Sequence, residues 1–323
     1  MKVLLVKTSS MGDVIHALPA VTDAQRAHPG MVLDWVVEEG FAEIPAWHPA
    51  VHSVIPVAIR RWRKSPWQAV RSGEWARFRE RLNAQRYDAV IDAQGLIKSA
   101  LLSRLVKNAP RYGYSRDTVR EPLASCAYQH RITVARDQHA IERIRQLFAA
   151  SLGYALPQTE VDYGLSRAAF VDDSAQHPLV FLHGTARVEK CWPESHWIAL
   201  GQAMARAGHR IALPWGNAEE QQRAERIASA IGVAATVLPK LNLQGVARVI
   251  AAARAVVAVD TGLGHLSAAL GVPCLSLYGP TDPAWIGARG AHQQFVCAAD
   301  ATMASLSPVA VESALRALLG DAP

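Results

Sequence analysis

The chain of 323 residues contains few cysteines, little charge and no long apolar run. Its four cysteines, at positions 126, 191, 274 and 297, are too far apart for C-x-x-C or zinc-ligand spacing, so we expect no disulfide framework and a reducing, cytoplasmic location. The longest apolar segment, around 249–259, is interrupted by Arg254 and is too short for a membrane-spanning helix. Only four consecutive apolar residues precede Lys7, which predicts a strand there and not a signal peptide.

Apolar residues make up 50% of the chain, and its length suffices for about two domains. Lys and Arg number 34 against 28 Asp and Glu, a net charge of +6. Residues 60–121 contain 15 Lys or Arg and 6 Asp or Glu, a net of +9, so the rest of the chain nets −3. This concentration predicts an anionic partner for the first half, and no nucleic-acid-binding motif accompanies it.

Short β-branched segments alternate with segments of helical period, which predicts parallel sheets covered by helices on both faces, an α/β fold. In the first half we predict strands at 3–7, 33–37, 53–57 and 89–92 and helices at 14–27, 75–83, 98–106 and 140–152. In the second half we predict strands at 179–183, 210–214, 235–238, 256–260 and 274–278 and helices at 194–207, 218–231, 243–253 and 263–270.

A polar, turn-prone stretch at 168–178 separates the two halves. We therefore predict two doubly wound domains, 1–172 and 173–323, with the last helix packing back on the first domain. Two such domains facing each other would form a cleft lined by the carboxyl ends of both sets of strands, where α/β sheets bind ligands.

The turn after the first predicted strand, T-S-S-M-G-D at 8–13, is a candidate for chemistry. Ser10 and Gly12 favour a tight turn in which a ligand approaches backbone N–H groups. Asp13 has two interpretations: it caps the first helix, or it projects into the cleft as a general base for an acceptor hydroxyl. The positive end of the helix dipole lowers the pKa of a carboxylate at that position, which weakens it as a base.

The turn V-D-T-G-L-G-H at 259–265 joins a predicted strand to a helix and suits an anion. The backbone N–H groups of Thr261 and Gly262 would point at a phosphate together with the helix dipole. His265, one turn further on, either contacts the ligand or is a structural histidine. The string G-x-G-x-x-S also matches part of a dinucleotide fingerprint, although Ser267 replaces the third glycine, so a nicotinamide-dependent oxidoreductase is an alternative.

Two other strand-to-helix turns of the second half carry polar candidates. Lys190 in the turn 183–194 neutralises a diphosphate or is an ordinary exposed lysine, and Thr185 is a hydroxyl donor of lower specificity. In the turn 213–220, Glu219 or Glu220 accepts from ribose hydroxyls, or both are only acidic residues of a first helical turn.

The segment I-R-R-W-R-K at 59–64 has four cations in six residues. Such a run is usually a solvated surface. Its place within the stretch of net charge +9 predicts a cationic face for an anionic ligand, which Lys98 and Arg120 extend towards the cleft. A non-catalytic module that binds anionic membranes or RNA through this stretch is a further alternative.

Together, the strings K-T-S-S-M-G-D-V-I-H, D-W-V-V-E-E-G-F, I-R-R-W-R-K, D-A-Q-G-L-I-K-S, R-E-P-L-A-S, L-P-W-G and V-D-T-G-L-G-H-L resemble the bacterial lipopolysaccharide heptosyltransferases, in the same order over essentially the whole chain. The resemblance implies a GT-B fold, with the acceptor held by the first Rossmann-like domain and the sugar nucleotide by the second. It implies inverting transfer of L-glycero-D-manno-heptose from ADP-heptose to the first Kdo of Kdo2-lipid A, with transfer of the second heptose as the alternative. We expect a monomer at the cytoplasmic face of the inner membrane, associated peripherally and without nucleic acid.

The resemblance also implies roles for the candidate residues. Asp13 is the catalytic base, Lys190 binds the diphosphate, Asp260 contacts the heptose and Glu220 the ribose. Thr185, Thr261, Gly262 and His265 complete the donor site, so that no metal or other cofactor is required. The acceptor side comprises Ser10, Gly12, Arg60, Arg61, Arg63, Lys64, Lys98 and Arg120. Where relatives often carry two threonines, this chain has Thr185 followed by Ala186, so one hydroxyl is missing.

Overall fold

The computed structural model describes residues 1–171 and 177–321. The chain divides into two compact domains, Met1–Leu165 and Ser166–Pro323. The predicted boundary between residues 172 and 173 lies outside the described residues.

The first domain contains a parallel sheet of six strands with helices packed on its two faces. Its strands are β1 (Lys2–Val6), β2 (Val32–Glu38), β3 (Val51–Val57), β4 (Ala89–Asp92), β5 (Arg111–Tyr114) and β6 (His130–Ile132). Its helices are α1 (Met11–Ile15), α2 (Leu18–Ala27), α3 (Glu43–Ala46), α4 (Ile59–Lys64), α5 (Pro66–Arg71), α6 (Glu74–Leu82), α7 (Ile97–Arg104) and α8 (Ala140–Leu152). The strand order is β3-β2-β1-β4-β5-β6. Every residue from Val3 to Val6 is buried, as expected for a parallel strand covered on both faces.

The second domain repeats this architecture. Its strands are β7 (Leu179–Leu182), β8 (Ile211–Leu213), β9 (Ala235–Val237), β10 (Ala255–Val259), β11 (Cys274–Tyr278) and β12 (Gln293–Cys297). Its helices are α9 (Glu194–Arg206), α10 (Ala218–Ile231), α11 (Leu243–Ala252), α12 (Gly262–Ala269), α13 (Pro283–Ile286) and α14 (Pro308–Leu319). The strand order is β12-β11-β10-β7-β8-β9. The helix α14 packs against α9, β11 and β12 of its own domain.

The two sheets have the same order when each is counted from its own first strand. In the first domain β1 lies between β2 and β4, and in the second β7 lies between β8 and β10. The strand order reverses at β1/β4 and at β7/β10, and open α/β sheets bind ligands at the carboxyl edge of such a switch point. The topology therefore indicates one candidate site in each domain.

The predicted α/β class is confirmed, and the predicted strands lie within two residues of the observed ones. The single helix predicted over 14–27 is wrong, because the chain forms α1 and α2 with a break at His16 and Ala17. Pro19 lies in the first turn of α2, where its missing N–H is tolerated, whereas one continuous helix would need that donor. Among the described residues, no helix is long and apolar enough to cross a membrane.

Candidate active site

Asp13 lies in the first turn of α1, at the switch point of the first domain. Ser10 is the residue that caps this helix, so the interpretation of Asp13 as the capping residue is wrong. The backbone N–H of Ser10 donates to Asp13 Oδ2 at 2.8 Å, and the Ser10 hydroxyl donates to the same oxygen at 3.1 Å. Asp13 is thus the third helical residue, whose carboxylate reaches back to the cap.

Lys7, the first residue after β1, fixes the charge of Asp13. Its Nζ lies 3.6 Å from Asp13 Oδ1 and donates to the carbonyl oxygen of Ala93 at 3.1 Å. The Lys7 side chain is 6% exposed and that of Asp13 is 34% exposed. Burial raises the pKa of Asp13, but Lys7, the two Ser10 hydrogen bonds and Arg120 outweigh it and hold the pKa below its usual value. Asp13 is therefore ionised at neutral pH and accessible to an acceptor hydroxyl.

The turn after β4 is tied to the turn after β1. Gln94 Oε1 accepts from the backbone N–H groups of Thr8 and Ser9, at 3.0 and 3.1 Å, and Lys98 Nζ donates to Ser9 Oγ at 3.4 Å. Gly95 has a φ of +68°, which a residue with a side chain rarely adopts, and it turns the chain towards Lys98. The structure thus brings Lys98 beside the Asp13 turn, 85 residues away in sequence.

The cations of α4 differ in their surroundings. Arg61 is bound to two carboxylates, with Nη2 at 3.0 Å from Glu39 Oε2 and Nη1 at 2.8 Å from Glu74 Oε2, and these partners raise its pKa. The Arg60 guanidinium lies over the ring of Phe41, 5.5 Å from its centre. Arg61 therefore stabilises the fold of this segment through its two carboxylate partners. The sequence predicts a contact with the acceptor instead.

The remaining predicted cations are more open. Within residues 1–171 and 177–321, neither Arg63 nor Lys64 has an ion-pair partner, and both are exposed. Arg120 is also exposed and is close enough to Asp13 to lower the pKa of that carboxyl. Of the predicted cationic face, Lys98 and Arg120 accompany Asp13, while Arg63 and Lys64 stand on the short helix α4.

The switch point of the second domain contains a second lysine–aspartate pair. Lys190 Nζ lies 2.5 Å from Asp260 Oδ2, and the Thr281 hydroxyl donates to the same oxygen at 2.7 Å. The side chains of Lys190 and Asp260 are 15% and 10% exposed. Lys190 follows β7 in a short 3-10 turn, Asp260 follows β10 and Thr281 follows β11, so three strand ends meet here. Lys190 is therefore not the ordinary exposed lysine that the sequence left open.

The phosphate-type turn forms as predicted. Thr261 has an extended backbone and caps α12, which begins at Gly262, and its hydroxyl makes no capping hydrogen bond. The Thr185 hydroxyl donates to the Asp260 carbonyl oxygen at 3.0 Å and thereby joins the β7 and β10 turns. His265 is buried in α12. This helix start can receive an anion beside Lys190.

Glu220 closes the edge of this site, in the first turn of α10. Its Oε2 accepts from the backbone N–H of Gly216 at 2.7 Å. A Cβ at Gly184 would come within 2.7 Å of the Glu220 carboxyl carbon, so a larger residue there would displace the carboxylate. Glu219, the alternative candidate, is exposed on the same turn. In the described part of the chain, no group of three or more His, Cys, Asp or Glu side chains is arranged to hold a metal ion.

Sequence reasoning missed Lys7, Gln94 and Thr281 as members of these sites. Lys7 is the last residue of the predicted strand 3–7, and Gln94 follows the predicted strand 89–92 by two residues. Thr281 follows β11, a correctly predicted strand. Gln94 and Thr281 are polar residues within three positions of the end of a predicted parallel strand, and that local signal could have found them. Lys7 carries no such signal, because the predicted strand includes it.

Two Rossmann-like domains in one chain, each with polar residues at its switch point, have the architecture of the GT-B class of glycosyltransferases. The chain belongs to glycosyltransferase family 9, the heptosyltransferases, whose sequence pattern matches residues 75–314. This membership agrees with the transferase prediction and excludes the oxidoreductase and the non-catalytic module as descriptions of the chain.

The similarity extends over nearly the whole chain. The Pseudomonas aeruginosa protein named lipopolysaccharide heptosyltransferase 1 is 60% identical over 91% of this chain and 82% of its own. The solved structure of Escherichia coli heptosyltransferase WaaC with ADP is 52% identical over 98% of this chain and 100% of its own, with a TM-score of 0.94. The same Escherichia coli protein has been solved with ADP-2-deoxy-2-fluoro heptose, at 51% identity over 98% and 99% of the two chains and a TM-score of 0.91. The Salmonella typhimurium protein named lipopolysaccharide heptosyltransferase 2 is 24% identical over 88% of this chain and 84% of its own.

Proposed function

We propose that this chain transfers L-glycero-D-manno-heptose from ADP-heptose to the first Kdo of Kdo2-lipid A, with inversion at the anomeric carbon. The observation that carries the proposal is the Asp13 carboxylate, held ionised by Lys7 and oriented by Ser10, with part of its surface open. The 60% identity to a protein named heptosyltransferase 1, against 24% to one named heptosyltransferase 2, supports the first heptose over the second.

Asp13 acts as the base in this reaction. Its carboxylate takes the proton of a Kdo hydroxyl as that oxygen forms its bond to the anomeric carbon, while the bond from that carbon to the diphosphate oxygen breaks. The electron pair of the broken bond leaves with ADP. Because the pKa of Asp13 is low, proton transfer is favourable only as the attacking oxygen becomes bonded and acidic, which couples deprotonation to attack.

Lys190 and the start of α12 receive the leaving-group charge. The ammonium of Lys190 and the N–H groups of Gly262 and its neighbours meet the diphosphate, and Asp260 and Glu220 accept from heptose and ribose hydroxyls. A metal ion is not needed for this task, since an ammonium and a helix start already supply positive charge. We expect EDTA at millimolar concentration to leave ADP release unchanged, and a loss of activity that added Mg²⁺ restores would contradict this assignment.

Arg63, Lys64, Lys98 and Arg120 are assigned to the acceptor, because Kdo carboxylates and lipid A phosphates need cations. Ser10 and Gly12 shape the turn beneath it, and Arg60 completes the face. Such an acceptor implies work at the cytoplasmic surface of the inner membrane, with peripheral association, and we propose that the protein acts there as a monomer.

The test is ADP release from ADP-heptose with two acceptors, Kdo2-lipid A and the same molecule already carrying one heptose. We expect turnover with the first acceptor and at least a hundredfold less with the second. Turnover with the second acceptor alone would assign the chain to the second transfer. Absence of ADP release with both acceptors would refute the proposed reaction.

A further inference from the structure

The short helix α5 presents a large apolar pair to solvent. Trp67 is 80% exposed and Val70 is 60% exposed. Residues three apart share one face of a helix, so the two side chains form one apolar patch. Tryptophan is usually largely buried, and an exposed apolar patch rimmed by polar residues is typical of an interaction site.

The fold of this segment does not need Trp67 or Val70. The inner side of the segment is filled by Trp62, Trp75 and Phe78, whose ring centres are 5.6 to 5.9 Å apart. Glu74 accepts from Trp62 Nε1 at 2.8 Å and from Arg61, which anchors α4 to the start of α6. With α4 and α6 fixed in this way, α5 projects its outer face away from the domain core.

Cations flank the apolar patch in the sequence, and Glu39 and Glu74 pair with one of them, Arg61. Residues 60–73 contain five Lys or Arg and no Asp or Glu. Arg63 and Lys64 precede Trp67 by one turn or less, and Arg71 follows it at a helical spacing of four. None of these three cations has an ion-pair partner among the described residues. The patch therefore combines the amphipathic ring of Trp67 and the aliphatic side chain of Val70 with positive charge that no described ion pair neutralises.

We propose that α5 docks on the headgroup region of an anionic phospholipid bilayer, with Trp67 and Val70 entering the interface and Arg71 facing lipid phosphates, next to the acceptor cations Arg63 and Lys64. Tryptophan favours this zone because its ring is apolar and its N–H stays hydrated. Each cation near an anionic leaflet adds attraction, and two kinds of contact are needed for stable peripheral binding. An anionic lipid surface fits both features of the patch, because its phosphates complement the cations and its interface accepts the apolar pair. A protein partner would instead need an apolar groove shaped to fit Trp67 and Val70.

This inference rests on the proposed function in one respect: a glycolipid acceptor lies in a membrane, so the protein must reach a membrane surface to use it. Trp67, Val70 and Arg71 are outside the residues assigned to the two substrates. Binding of bulk phospholipid is therefore separable from transfer to the acceptor.

The experiment measures co-sedimentation of the full chain with vesicles of phosphatidylglycerol and, separately, of phosphatidylcholine. We expect binding to the anionic vesicles that weakens with added salt, and little binding to the neutral ones. The double variant Trp67→Ala with Val70→Ser should bind the anionic vesicles about tenfold more weakly, and Arg71→Ala about fivefold more weakly. The control Phe295→Ala removes an aromatic residue that is 58% exposed on β12, and it should bind like the parent chain.

Three outcomes would overturn the inference: parent-like vesicle binding by the double variant, no binding of anionic vesicles by the parent chain, or binding of RNA in their place. Far-UV circular dichroism of each variant checks its fold. ADP release with a water-soluble Kdo2 acceptor that lacks acyl chains should be the same in the parent and the double variant. If the parent chain binds vesicles but releases no ADP with any acceptor, the proposed function fails and the docking surface stands.

Discussion

The two switch points contain the same pair of residue types in opposite arrangements. In the first domain the lysine is the fixed member: Lys7 is 6% exposed and also bonded to Ala93, while Asp13 is 34% exposed. In the second domain the carboxylate is the fixed member: Asp260 is 10% exposed and is bonded to Thr281 as well as to Lys190. In each pair the more buried member sets the local field, and its partner is the more exposed of the two. One sheet order therefore places the more exposed carboxylate at one switch point and the more exposed ammonium at the other.

The separation of the two ions also differs. The closest charged atoms are 3.6 Å apart for Lys7 and Asp13, and 2.5 Å apart for Lys190 and Asp260. The looser pair leaves the Asp13 oxygens available for a proton. In the tighter pair, Asp260 neutralises Lys190. Under the proposed function, an incoming diphosphate would share that ammonium with Asp260.

The largest effect is expected from Asp13→Asn. The amide cannot take the acceptor proton, so we expect kcat to fall about a thousandfold, with the dissociation constant of ADP unchanged. ADP release and a calorimetric titration of ADP measure the two quantities. The exposed Asp117 of the same domain offers the matched control Asp117→Asn, which should leave both unchanged. A variant Asp13→Asn that keeps near-normal turnover would remove the base assignment.

The second-largest effect is expected from Lys190→Ala, which removes the lysine of the pair at the second switch point. Loss of the ammonium should weaken ADP binding between about tenfold and a hundredfold, the range for a hydrogen bond to a charged group. Calorimetric titration of ADP measures the change, with Lys240→Ala, an exposed lysine of the same domain, as the control. Unchanged ADP affinity would show that Lys190 does not meet the diphosphate.

Lys7→Met tests the lysine–aspartate pair of the first switch point through the pH dependence of kcat. Lys7 lowers the pKa of Asp13, whereas burial raises it. Removal of the Lys7 cation should therefore raise the pKa of Asp13. Because Asp13 is ionised only above its pKa, the ionised base then requires a higher pH. The acid limb of the kcat profile should then move to higher pH. Lys7→Arg keeps the charge and should keep the limb near its original position. An acid limb that stays in place in Lys7→Met would mean that Lys7 does not control this carboxylate.

The smallest effect is expected from Thr281→Val. The hydroxyl bond to Asp260 is lost while the shape is kept, so we expect donor affinity to fall about threefold to tenfold. The readout is the KM for ADP-heptose, with kcat little changed. The control is Thr236→Val, a substitution at an exposed position of β9. A large fall in kcat with KM unchanged would assign Thr281 a role other than fixing Asp260.

Much of the fold follows from apolar periodicity, and the exceptions have a physical cause. The strands β4 and β11 and the helices α8 and α10 have the predicted bounds, because their apolar pattern is strong and their ends carry polar or turn residues. The strands β5 and β6 were not predicted: R-Y-G-Y and H-R-I are short and polar, and they become strands because β5 pairs with β4 and β6 pairs with β5. The helices α4 and α5 were also not predicted, because the charged residues of this cationic segment leave no clear apolar repeat of helical period.

The candidate sites were predictable where local sequence decides geometry. The Thr261 turn could be predicted because a glycine after a strand end and before a helix suits an anion. The bonds from Gln94 to Thr8 and from Thr281 to Asp260 join residues 86 and 21 positions apart. Such pairs depend on which strands are neighbours in the sheet, and local patterns do not contain that order.

We propose that the first switch point activates the acceptor and that the second binds the donor. The most direct test is the dissociation constant of ADP in Asp13→Asn, in Lys190→Ala and in the double variant, measured by calorimetric titration. We predict that the double variant binds ADP as Lys190→Ala does and that Asp13→Asn binds it as the parent chain does. An additional loss of ADP affinity in the double variant, beyond that of Lys190→Ala, would contradict the division of roles between the two domains.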